Sequence, residues 1–363
     1  MRRLNRYVGR TVFYASLGAL VVLVSLNSIS DLVSLTGSLN ESFTVNKLLW
    51  VVLLRIPNST VEFLPYGVFL GCIIGLGIHA NNSELTIMRS AGVSFYQLLW
   101  AVMRPTLVLI GVGLCLSEFI NPNTDRVARE LQVGSDNQEL LDAPFGYWYR
   151  DAQRKEFLHL NRVEAGGRIY GLSRYGFDAN GELRYSGFAE QAIYQQHNNT
   201  WQLENYRQAI LFADRIELAE DPPQTWRTEL NPELLNILVL PPESLNVGDL
   251  YMFATYRDQQ NLNSHEYWLW FWQRILQPLT IVSLVLVGMS FILGSLREVA
   301  MGSRLLLAFV VGFFVKVNIE MSGTISSVVS FSSSLGSWFL PLIAVLVPTL
   351  VFGLIGLWLL ARR

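Results

Sequence analysis

The chemistry open to this chain is bounded by three lysines (Lys47, Lys155, Lys316), four histidines (His79, His159, His197, His265) and two cysteines (Cys72, Cys115). A nucleotide-hydrolysing P-loop needs Gly-Lys-Ser/Thr, so that backbone amides and the lysine hold the phosphates, and no lysine here follows a glycine. The histidines are scattered, and His265-Glu266 is followed by Leu269 where a zinc protease needs a second histidine. No Gly-x-Ser-x-Gly elbow occurs. ATP hydrolysis by the P-loop route is excluded, and a membrane enzyme built on another constellation has no motif in its favour.

Two places do put polar groups at a working spacing. In Asn81–Gly92, Ser83 or Asn82 is expected to cap a helix, Glu84 suits its positive N-terminus, and Gly92 ends it. Leu85 and Met88 share one face with Ile87 and Ala91 beside it, and Arg89 lies in the last turn. Such a short amphipathic rod fits a partner's groove or the lipid headgroups. In the second place, Lys316 and Glu320 stand one turn apart in an apolar stretch. Either they mark a pathway or a partner, or they satisfy each other and snorkel to the surface.

Composition sets the elements that hold these places. Of 363 residues 51% are hydrophobic and 15% charged, where a soluble protein carries about 25% charged. Residues 121–266 hold 35 of the 56 charges and are acidic (22 Asp/Glu, 13 Lys/Arg), while the remainder is basic (7 and 14). That division argues against one soluble globule and against disorder. A bilayer core needs about 20 apolar residues of helix. Six stretches qualify: Val12–Ile29, a broken run Leu48–Ala80, Leu98–Ile120, Trp268–Leu293, Leu305–Met321 and Trp338–Leu360. The expected architecture is a polytopic α-helical membrane protein with six transmembrane helices in a 3+3 arrangement. Its membrane halves are 1–122 and 263–363, around an inserted domain at 123–262.

Arginines near the span ends (Arg2, Arg3, Arg6, Arg10; Arg89, Arg104; Arg297, Arg304; Arg362, Arg363) place both termini in the cytoplasm and the insert outside. The first apolar segment lacks a small-residue cleavage site and is followed by more spans, so it reads as a retained helix. Gly67, Gly71 and Gly75 fall on one helix face, for packing in the chain's own bundle or against a subunit. Pro57 and Pro65 flank Glu62 and are expected to kink the second span. Cys72 and Cys115 lie inside spans and read as apolar fillers, not a disulfide.

The insert reads as β structure. Tyr147–Thr228 is rich in Tyr, Ile, Phe and Trp, with turns at Asn180-Gly181, His197-Asn198-Asn199 and Asp221-Pro222-Pro223. Its loose alternation fits a sheet with apolar matter on both faces, lipid on one, or a small sandwich burying its own core. Tyr251–Asn261 reads as a helix leading back to the membrane.

The sequence resembles the LptF/LptG permease family of the lipopolysaccharide exporter of diderm bacteria, its LptG branch more than its LptF branch. The likeness covers nearly the whole chain and rests on the order of several motifs. These are Leu4–Phe13, Ser83–Gly92, Trp226-Arg227-Thr228 with Leu230-Asn231-Pro232, Ile275–Leu279, Ser290–Arg297 and Met301–Arg304. The resemblance implies six spans with a periplasmic β-jellyroll in the inner membrane, paired with an LptF sister permease. It further implies a cytoplasmic LptB ATPase dimer that carries ATP and magnesium, an LptC bridge subunit, lipopolysaccharide as cargo and no nucleic acid. This chain would bind no cofactor of its own.

Ser83, Glu84, Leu85, Ile87, Met88 and Arg89 match the family's coupling helix, whose glutamate engages the ATPase. The first and fifth spans match the helices lining the gate and cavity, with Phe313 on the fifth, and Arg129 matches a basic residue near the cavity mouth. Family members carry lysines near the outer end of the first span, where this chain has Asp31 and no lysine before Lys47. Lys316, Lys47, Arg126 and Arg129 are then the expected cationic contacts. A lipoprotein-releasing type of permease places its insert after the first span, whereas three precede it here. A receptor with a β sensor domain would append a signalling domain, and the chain ends two arginines past its last span.

Overall fold

The computed structural model describes residues 2–362 apart from 38, 40–42, 134–146, 152–154, 165–166, 179–180, 213–214, 220–221, 223, 229, 233–234, 236–241, 260–261, 294–300 and 331–336. Each apolar stretch is a helix. In chain order come α1 (Arg2–Thr36), α2 (Val45–Asn81), the short α3 (Glu84–Ser90) and α4 (Phe95–Cys115). A π turn (Leu116–Ile120) joins α4 to α5 (Asn121–Val133). After the β region follow α6 (Val247–Gln259), α7 (His265–Ile292), α8 (Met301–Ser330) and α9 (Phe339–Ala361). Six of the helices are long and apolar enough to span a bilayer, three before the β region and three after it.

The bundle is built around α2 and α7, whose apolar windows are 67% and 61% buried; those of α1, α8 and α9 are 22%, 18% and 28% buried. Missing side chains make α2 central. A Cβ on Gly71 would lie 2.2 Å from Ser16 Cα, one on Gly75 2.8 Å from Val12 Cα, and one on Gly67 3.1 Å from Leu20 Cβ. The glycine stripe therefore seats α1 of the same chain, the first of its two expected uses. On α9, Gly356 does the same against α7, where a Cβ would meet Val287 N at 2.9 Å. Cys72 is buried among these contacts, Cys115 is exposed, and both are free thiols.

Helix runs to Val133, so the first residues of the expected insert, 123–262, continue the third span, and the strands begin at Tyr147. Past α5, eight antiparallel strands form one sheet: β1 (Tyr147–Asp151), β2 (Glu156–Glu164), β3 (Arg168–Phe177), β4 (Leu183–Gln195), β5 (Thr200–Glu204), β6 (Arg207–Leu211), β7 (Ile216–Leu218) and β8 (Thr225–Trp226). The β3–β4 hairpin closes where Asp178 N donates to Glu182 O at 2.9 Å, with Gly181 at φ +86°. Asn180 of that turn, Asp221 and Pro223 of the last expected turn, and Arg297 lie outside the described residues. His197–Asn199 does form the turn between β4 and β5, Asn199 taking φ +50°.

The sheet forks at β4, which pairs with β6 along Tyr185–Phe188 and with β5 along Gln191–Gln195. It buries a core of its own, including Leu158, Leu160, Ile169, Leu172, Trp201 and Trp226, while Trp148, Phe188, Ile216 and Leu218 stay exposed. The segment after β8 seals that core. Trp201 Nε1 donates to Leu230 O at 2.7 Å, and Thr228 Oγ1 donates to Asp151 Oδ2 at 3.0 Å.

Candidate coupling surface and intramembrane ionic pair

The turn from α2 into α3 differs from its expected cap. Ser83 N donates to Ala80 O at 3.1 Å, and Ser83 takes the left-handed region at φ 57°. An N-cap hydroxyl bonds the helix amides from an extended backbone, and no side-chain cap bond forms at Ser83. Its carbonyl instead accepts from Thr86 N and Ile87 N, both at 3.1 Å. The other end follows the sequence. Gly92 at φ +83° lets Gly92 N bond Arg89 O and Val93 N bond Met88 O, each at 3.0 Å, the paired closure of a Schellman motif. α3 turns Leu85 and Met88 into the bundle core and leaves Ile87 and Arg89 outward. The face open to a partner is therefore the mixed one. A shallow pocket lined by Ala80, Leu85, Thr86, Arg89, Ile292 and Leu293 lies between α3 and the end of α7.

Glu84 is tied to two other helices. Its Oε2 accepts from His79 Nδ1 of α2 at 2.7 Å, and its Oε1 from Tyr7 Oη of α1 at 3.4 Å. The Tyr7 and His79 rings lie 4.9 Å apart. Because a carboxylate only accepts, the bond puts a proton on Nδ1. The His79 hydrogen bond holds the Glu84 carboxyl below the usual carboxylate range, outweighing the opposing effect of burial. His79 itself is 1% exposed. Neither partner of Glu84 stood out in the sequence, although His79 sits in the turn just before it.

The second site joins α8 to α2. Lys316 Nζ donates to Glu62 Oε1 at 3.2 Å, lies 3.7 Å from Glu320 Oε1, and stands 5.0 Å over the Phe63 ring. Phe313, one turn earlier, is exposed. The other basic candidates gather elsewhere. Lys47 is half-buried in the first turn of α2, next to Leu48, which packs in one cluster with Val51 and with Ala128 of α5. Arg126 is exposed and Arg129 half-buried on that same α5.

A third polar centre had no motif to announce it. Arg274 of α7, 7% exposed, donates to Ser117 O at 3.1 Å and Ser117 Oγ at 2.6 Å in the π turn, and to Glu243 O. The carboxylates of Glu118, Asp125 and Glu243 are the acidic groups that act on it electrostatically. Glu118 Oε2 in turn accepts from Val247 N at the start of α6, at 3.2 Å. One arginine thus ties the third span, the fourth span and the segment returning from the sheet.

Comparison with known proteins agrees with this architecture. The family model described as "Lipopolysaccharide export system permease LptF/LptG" matches residues 6–362. The lipopolysaccharide export system permease protein LptG of Escherichia coli K12 is 29% identical over 363 residues, 99% of this chain and 98% of the relative. The protein of the same description from Haemophilus influenzae is 30% identical over 362 residues, again 99% and 98%. With six spanning helices, a β region inserted between the third and fourth, and a match that runs nearly from end to end, the chain belongs to the LptF/LptG family of lipopolysaccharide export permeases.

Proposed function

We propose that this chain is a non-catalytic permease subunit that moves lipopolysaccharide out of the outer leaflet of the inner membrane and passes it to a periplasmic bridge. The observation that carries the reading is the family match over residues 6–362, on a chain with the spans and insert such a route needs. The partners are an LptF-type sister permease, an LptB-type ATPase dimer holding ATP and magnesium, and an LptC-type bridge. Both termini and α3 face the cytoplasm, and the β region faces the periplasm, an orientation that the arginine distribution supports.

The energetics favour a sheltered path. Moving an acyl chain into water costs about 0.8 kcal/mol per methylene, so a lipid with several chains must stay covered throughout. Exposed apolar faces on α1 (Val21, Val22, Ile29) and α8 (Phe309, Phe313, Phe314) are suited to line such a path with the sister subunit. ATP binding on the partner pushes α3, and Glu84 passes that push to α1 through Tyr7 and to α2 through His79. Arg126 and Arg129 on α5, with Lys47 beside them, meet the lipid phosphates. Glu84→Ala in the co-expressed complex is expected to cut ATP-driven lipid release by about tenfold or more, the size of a lost charge-assisted contact. ATP-driven release at the parental rate would overturn this role for Glu84.

A further inference from the structure

One turn of α2 is held unlike the rest of the helix. Pro65 has no amide hydrogen, so the carbonyl four residues earlier, Val61 O, has no helical donor. Gln277 Nε2 of α7 donates to it at 2.8 Å. The neighbouring side chains reach three further helices. Asn121 of α5 donates to Asn58 Oδ1 at 3.3 Å, Asn27 of α1 to Ser59 Oγ at 3.0 Å, and Lys316 of α8 to Glu62 Oε1 at 3.2 Å. Residues 58–62 therefore bind four helices through polar groups in an otherwise apolar bundle.

The four contacts differ in how easily they can part. Ser59 and Asn121 are buried, whereas the Lys316 and Glu62 side chains are 31% and 50% exposed. α8 is secured elsewhere by buried bonds. Toward its start Arg304, 2% exposed, donates to Gly77 O of α2 at 3.1 Å; toward its end Ser326 Oγ meets His265 Nε2 of α7 at 3.0 Å. Between them small residues face α2, and a Cβ on Gly312 would lie 3.7 Å from the Phe69 ring. Ala308 and Val315 are fully buried beside Gly312, so among the polar contacts of α8 the half-exposed ion pair is the one that parts at the least cost. The pair is also poorly suited to take a lipid phosphate, because its single cation already faces two carboxylates, Glu62 and Glu320.

We propose that Glu62 is a positioning residue for transport: by holding Lys316 it keeps the middle of α8 on α2, and the pair opens and recloses in each cycle. This rests on the reading of the chain as an ATP-driven lipid permease. The test uses the full complex, with Cys72 and Cys115 replaced by alanine and the double variant Glu62→Cys/Lys316→Cys. A reducible bis-methanethiosulfonate cross-link that spans the gap the two side chains fill is expected to form without nucleotide and in clearly lower yield with a non-hydrolysable ATP analogue. Once formed, it should cut lipid release about tenfold below the parental complex, as a locked gate does, with ATP hydrolysis retained. Charge exchange gives an independent arm. Glu62→Lys alone should lose release, and Glu62→Lys/Lys316→Glu should recover it. Linked complex that releases lipid at the parental rate, a cross-link yield that nucleotide does not change, or a charge exchange that recovers nothing would each overturn the proposal. If the parental complex shows no ATP-driven release, the permease reading itself fails, while the response of the cross-link to nucleotide still decides whether the pair opens.

Discussion

Arg174 and Glu156 sit on neighbouring strands, each about 7% exposed at the side chain, and join through two guanidinium nitrogens at 3.0 to 3.3 Å. A charge pair taken out of water needs its remaining hydrogen-bond capacity filled, and here Tyr185 and Tyr206 fill it. Their rings fit because Gly176 and Gly187 have no Cβ; one on Gly176 would lie 2.1 Å from the Tyr185 ring. Burial, with the bond to Glu156, pushes the Tyr185 hydroxyl above the ordinary tyrosine range, and burial raises Tyr206 as well. Both groups favour the protonated form in the folded state. Their contribution is full below the unfolded value of about 10 and is lost as pH rises through the raised folded values. The β region should therefore weaken above about pH 10, and Tyr185→Phe/Tyr206→Phe should flatten that slope, read as thermal midpoint against pH. Equal slopes for parent and variant would contradict the assignment. At this scale the sequence is legible only locally. Lys316 and Glu320 announce themselves by spacing, but Glu62 is 254 residues from its lysine and no periodicity links them.

Helices were the most legible elements, because the apolar length that crosses a bilayer is a property of one segment. What each helix packs on was less so. Three glycines at four-residue spacing mark a close approach, yet the spacing is silent on which helix arrives, and the structure supplies α1. Gly71→Ala should lower the thermal stability of the complex by about 1–3 kcal/mol, the usual range for overpacking, because its Cβ would collide with Ser16 backbone. Gly111→Ala, where nothing lies within 4 Å, should be neutral or gain a few tenths of a kcal/mol from helix propensity. A matched loss at both positions would show that the close approach to Ser16 is not what sets the effect. The start of α3 was read as a side-chain cap and is a left-handed turn instead. Capping preference describes an extended entry, and the tight reversal after α2 leaves no room for one.

Across the whole molecule, the polar centres bring together segments far apart in sequence. Arg274 reaches Ser117, 157 residues away, and Gln277 reaches Val61, 216 away. Hydropathy and charge counts divide the chain correctly into membrane frame and insert, but they are sums over neighbours and carry no pairing information. Arg274→Met would remove the buried donor that Ser117 and the Glu243 carbonyl share and release the return segment from the third span. Leaving buried hydrogen-bond partners unmet costs about 1–3 kcal/mol each, so the thermal midpoint of the complex should fall below that of Arg274→Lys. Equal midpoints for the two variants would argue that the site is a packing contact alone. The bare Val61 carbonyl also has a history in time. During synthesis, the first three helices enter the bilayer before Gln277 and Lys316 have been translated. The nascent half must therefore carry an unsatisfied carbonyl and an unpaired glutamate until the chain beyond the sheet arrives. The bundle is therefore complete only when the second half has supplied both groups.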